Sequence, residues 1–157
     1  PGQNATVRVT TSGGTSPDFQ AVVIRSRPAI FAGAGGAVAV NQDGSINSES
    51  NPAGRGSIVS IWVTGAGPVF PAPEDGQVAT EAHDYACCRV HVGNMPAEEL
   101  YAGAAPGLVA GIFQVNFRIP STLPAGEAQQ VSVSLASSPP DIIAIAPAPA
   151  SALIWVR

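Results

Sequence analysis

The chain has 157 residues, enough for one domain with a buried core and too few for a second, catalytic one. Charged residues make up only 11% while Gly and Pro number 17 and 15, a composition that argues against long helices and for short strands joined by tight turns. All 7 cations are arginine, and a net charge of −4 without any basic stripe removes the electrostatic footprint that holds a phosphate backbone, so nucleic acid is not an expected partner.

In chain order, alternation with β-branched residues predicts strands over NATVRVT (4–10), FQAVVIR (19–25), SIVSIWVT (57–64), CRVHV (88–92), IFQVNFRI (112–119), QVSVSL (130–135) and ALIWV (152–156). Between them, SGGTSPD, GAGG, NPAGRG, TGAGPVFPAPEDG, PSTLPAGE and SSPPD carry the residues that supply positive φ or fix φ at the turn value. No stretch of a dozen residues sustains a helical period; PAEELYAG (96–103) comes nearest to one. Short strands at this spacing predict an all-β fold, an antiparallel immunoglobulin-like β-sandwich over residues 29–157 preceded by a β-hairpin segment over residues 1–28. No apolar run approaches the roughly 20 residues that cross a bilayer as a helix, so no membrane span is expected. With Pro1 in place of an initiating Met, the chain is expected to be a mature product or a segment of a longer precursor.

Parity assigns the faces, since alternate strand residues share one. Phe113, Val115, Phe117 and Ile119 form an inward row, with Gln114, Asn116 and Arg118 outside. Cys88, Val90 and Val92 point inward, leaving Cys87, Arg89 and His91 outside. The adjacent Cys87 and Cys88 therefore cannot staple distant segments, and they leave the redox compartment open. Trp62, in a strand apolar on both faces, is expected in the core.

The opening PGQNATVRVTTSGGTSPD echoes PAGEAQQVSVSLASSPPD (124–141): a Pro-Gly turn, an alternating strand, then a Ser-rich turn ending in Pro and Asp. Each introduces what reads as the closing strand pair of a sandwich. Residues 1–28 thus resemble the end of a preceding sandwich. A lone hairpin is marginally stable and exposes two edges, so it must pack on the main domain, on an upstream domain or on another chain.

Residues that do chemistry are sparse. In NQDGSIN, placing Gly44 at the sixth position of a calcium loop puts Asn41, Asp43 and Asn47 on ligand positions, but Ala39 and Ser50 fall where the anchoring acids belong. Asp43-Gly44 reads instead as a hairpin turn, and no metal site or cofactor is assigned. On a strand, Cys87 and His91 share a face about 13 Å apart, too far for one metal. No nucleophile elbow, dinucleotide fingerprint or facing carboxylate pair occurs, so no catalytic residue is assigned and the chain is not expected to be an enzyme. The interaction candidates are Trp155, after the spacer APAPA, together with Tyr101 and Cys87. Burial is the first expectation for Trp155.

Two long stretches, AIFAGAGGAVAVNQDGSINSESNPAGRGSIVSIWVTGAG (29–67) and YAGAAPGLVAGIFQVNFRIP (101–120), resemble the uncharacterised C-terminal domain family (Solibacter type) of large secreted acidobacterial proteins. The shared elements are AIF, the NQDGS-N turn, NPA-RGS, the strand ending in TG-G, YAG-APG, QVN, Pro120 and the Pro-Ala-Gly turn at 124–126. The resemblance implies an extracellular or cell-surface β-sandwich module and carries over no catalytic or metal residue. The chain departs from the family pattern at HDYACCRVHV and after Asp141. The expected function is that of a non-catalytic structural or adhesive module acting through protein contacts, including self-assembly into a surface polymer by exchange of the leading strand pair at residues 1–28, which is the feature that motivates it. The alternatives are a carbohydrate-binding accessory module of a secreted enzyme, with polysaccharide as partner, and a calcium-stabilised surface domain.

Overall fold

The computed structural model describes residues 3–24, 26–85, 88–124, 128–135 and 150–157. The leading segment is an antiparallel ribbon. It starts with β1 (Gln3–Val7), turns through a small hairpin of β2 (Thr10–Thr11) and β3 (Gly14–Thr15), and returns in β4 (Phe19–Val23). Val7 lies opposite Phe19, Ala5 opposite Ala21 and Gln3 opposite Val23. Next come four short strands, β5 (Ala29–Ile30), β6 (Ala32–Gly33), β7 (Gly36–Ala37) and β8 (Ala39–Asn41), before the long β9 (Ile58–Thr64). The rest comprises β10 (Cys88–Val92), β11 (Met95–Pro96), β12 (Glu98–Ala104), β13 (Ile112–Arg118), β14 (Ala128–Leu135) and β15 (Ala150–Trp155).

These strands form the two layers of a sandwich. One sheet runs β12-β13-β9, with β5 and β8 sharing the far edge of β9; the other runs β11-β10-β14-β15, and all named pairings are antiparallel. The inward rows interlock as one core, with Val59, Ile61, Val63, Phe113, Val115 and Phe117 from the first sheet against Val90, Val92, Val131, Val133 and Ile154 from the second. Period-two patterning is the cause, because alternation at these positions can bury only one face of each strand. Gln114, Asn116, Arg118, Arg89 and His91 accordingly stay out of the core, and Cys88 is inside.

Two expectations are corrected. Trp62 is not a core residue: Val59, Ile61 and Val63 take the inner face of β9, so parity puts Trp62 on the outer face, where it is half-buried. PAEELYAG is not helical but is the edge strand β12, with a bulge between Glu99 and Tyr101. The extra residue, Leu100, breaks the two-residue alternation and so removes the strand signature from the sequence. Among the described residues no helix is long and apolar enough to cross a membrane.

Candidate interaction surface

The ribbon of residues 3–23 is two-faced. Cross-strand partners share a face, so Ala5, Val7, Phe19, Ala21 and Val23 form one apolar row. The opposite face is mostly polar, with Val22 opposite Asn4 as its exposed apolar residue: Thr6 and Gln20 exchange side-chain hydrogen bonds, and Arg8 holds Asp18 through two contacts of 2.6 and 2.9 Å. That ion pair is exposed, so it contributes little energy, but it fixes which residues face each other.

Among the described residues the large members of the apolar row are exposed. Val7 is 47% exposed, Phe19 68% and Val23 51%. Burying a Val or Phe completely is worth roughly 1.5–3 kcal/mol, so covering these three from their present exposure returns about 4 kcal/mol in total. Association costs at least that much, at roughly 4–15 kcal/mol. Face contact alone is therefore weak, and a tight complex also needs ladder hydrogen bonds at the ribbon edges. Both outer edges of the ribbon are without a strand neighbour among the described residues.

The residues singled out in the sequence lie elsewhere. Asp43 accepts hydrogen bonds from the hydroxyl and the backbone N–H of Ser45, which hold its carboxyl below the usual carboxylate range, the hydroxyl contributing more. Gly44 has φ +85°, which the turn requires and which glycine supplies without strain. Asn41 donates to Ser45 Oγ and to Asn51 O, and its amide oxygen accepts from Asn47 Nδ2 at 3.0 Å. Asn47, buried, donates to Trp155 O and accepts Trp155 N–H, both at 2.8 Å. The loop thus uses its side-chain amides to fasten β15, acting as a turn and a strand clamp.

Trp155 is half-buried on the outer face of β15, and its indole N–H donates to Gly35 O at 3.2 Å. Tyr101 donates its hydroxyl proton to Ala104 O and accepts the backbone N–H of His83 at 3.1 Å. Both rings brace neighbouring loops rather than stand clear as platforms. Cys87 lies outside the described residues. The structure does not bring Trp155 and Tyr101 together, since β15 and β12 belong to different sheets.

The segment that Tyr101 braces builds a second feature unread in the sequence. The long excursion between β9 and β10 is tied down twice. Residues 77–79 bond to 107–110, and His83 and Tyr85 bond to Ala104 and Ala102. Gly103 is required for this approach, because a Cβ there would lie 1.9 Å from His83 O. Between the arms runs a groove of about 340 Å³ lined by Ala66, Pro68, Val69, His83, Asp84 and Tyr85, with Phe70, 90% exposed, at its rim. His83 packs on Tyr85 with ring centroids 4.7 Å apart, and Tyr85 meets Phe113 edge-on. Nearby on β12, Glu99 Oε2 is buried without a hydrogen-bond partner among the described residues, and burial, assisted by Asp84, raises its pKa. Among the described residues no three of His, Cys, Asp and Glu group as a metal site would need. No family model, no curated protein and no solved structure matches the chain.

Proposed function

We propose that the protein is a non-catalytic structural or adhesive module of immunoglobulin-like build, working outside the cell or at its surface through protein contacts at the apolar face of its leading ribbon. The observation that carries this reading is the row of Val7, Phe19 and Val23, exposed among the described residues, on a ribbon whose other face is mostly hydrogen-bonded polar side chains. Monomers rarely leave contiguous apolar surface without a use, and sheet faces and edges are a recurring means of protein recognition. The resemblance of residues 29–67 and 101–126 to a secreted module family supports the extracellular placement. Copies of the chain are among its partners, with strand exchange at the ribbon as the route to a polymer.

Sedimentation of the intact chain over a concentration series tests the reading. The weight-average mass rises at the high end of the range for the parent and stays flat for a Val7→Ser, Phe19→Ser double variant. A flat profile for the parent, or an equal rise in both, defeats it.

A second reading, a carbohydrate-binding accessory module, is favoured by the groove at Phe70, where an exposed aromatic ring stands beside His83, Asp84 and Tyr85. Pull-down on insoluble polysaccharides with parent and Phe70→Ala chains decides it; no retention of the parent removes it.

A further inference from the structure

The chain contains two strand pairs introduced by the same sequence pattern, and they differ in one respect. In β14–β15 the inward row of Val131, Val133 and Ile154 is fully buried by the opposite sheet, and β14 continues into the sheet by pairing with β10. In β1–β4 the equivalent row is exposed, and β1 has no second strand neighbour among the described residues. Both pairs are antiparallel, and VRV at 7–9 stands where VSV stands at 131–133.

From this comparison, and resting on the reading of the ribbon as the contact surface, we propose that the ribbon is the closing strand pair of a second β-sandwich of the same build. Its outer edge from Val7 through β2, residues 7–11, takes the strand equivalent to β10, and its apolar row covers that module's open core. In the complete module, β14 meets β10 with Val131 opposite Val92, His91 opposite Ser132 and Val90 opposite Val133. The proposed docking therefore sets the partner's equivalents of Val92 and Val90 against Val7 and Val9, and that of His91 against Arg8. A second ribbon stacked face to face is the poorer occupant, since it would leave the outer edges of both ribbons unpaired. A complete copy of this chain offers no open seam, because its own β14–β15 fills it, and meets the ribbon only through the weaker face contact and edge exchange proposed above.

The test is a fusion in which a copy of residues 29–123, lacking the closing pair, is joined at Leu123 to Pro1 of the intact chain. Amide hydrogen exchange and binding of an anilinonaphthalene sulfonate dye are measured on the fusion and on the single chain. The proposal expects amides along the edge at 7–11, which match 131–135 of β14, to exchange at least about 100-fold more slowly in the fusion, with dye binding per chain reduced. The Val7→Ser, Phe19→Ser variant of the fusion loses that protection. Ribbon exchange unchanged from the single chain, or an insoluble fusion whose leading copy is unprotected, overturns the proposal. In that event a concentration-dependent mass in the intact chain still stands, so the contact surface and its occupant are judged separately.

Discussion

Replacing Asn47 by Ala removes the clamp that joins the 41–51 loop to β15, and its cost can be worked from the contacts. Three hydrogen bonds disappear: Nδ2 to Trp155 O, Trp155 N–H to Oδ1, and Nδ2 to Asn41 Oδ1, at 2.8, 2.8 and 3.0 Å. A net bond is worth about 1 kcal/mol; Trp155 O keeps its bond from the Ala53 N–H while Asn41 Oδ1 loses the Asn47 donor, so the variant should lose about 3 kcal/mol. With a denaturant slope of roughly 2 kcal/mol/M, the urea midpoint falls by about 1.5 M. Intrinsic tryptophan fluorescence is a suitable probe, since Trp155 sits at the clamp. Asn47→Asp retains the acceptor but loses both donations and introduces a buried charge, so it should be at least as damaging at neutral pH. A midpoint shift below about 0.3 M for Asn47→Ala would refute the reasoning, because the loop would then be a passenger on β15.

Three further outcomes concern Glu99, Gly103 and Phe19. Burial raises the Glu99 pKa, so the folded state binds its proton more tightly than the unfolded chain does; the resulting destabilisation is absent below the unfolded pKa and grows as pH rises through the folded one. Glu99→Gln should therefore raise the denaturation midpoint at neutral pH and leave it unchanged at acid pH, read from melts across that range. Gly103→Ala forces the backbone of His83 away and should cost about 1–3 kcal/mol in thermal unfolding, with faster exchange of the Tyr85 and Ala104 amides. Phe19→Ser lies on the uncovered face, so the main unfolding transition of the dilute chain should move by less than about 0.5 kcal/mol.

What the sequence made legible was whatever alternation alone controls. The long strands β9, β10 and β13 lie where period-two patterning put them, and the inward rows Phe113, Val115, Phe117 and Cys88, Val90, Val92 are buried as parity requires. Trp62 was misjudged because both faces of its strand are apolar, and only the opposing sheet decides which one is covered. β12 was hidden by its bulge at Leu100, and β5 to β8 are too short to carry a period. The Asn47 clamp joins residues 108 apart, and the groove depends on 77–79 meeting 107–110; neither leaves a local signal. For the ribbon, the internal echo announced a strand pair, while the register and exposure of its apolar row came only with the fold.

The apolar face of the ribbon is where we propose that this protein meets others. Amide hydrogen exchange on the intact chain at low and at high concentration tests it most directly. Exchange at 3–7 and 19–23 should slow as concentration rises, while β9 and β13, already buried in the sandwich, stay unchanged. Ribbon exchange that is indifferent to concentration, with slowing elsewhere on the sandwich, would contradict it.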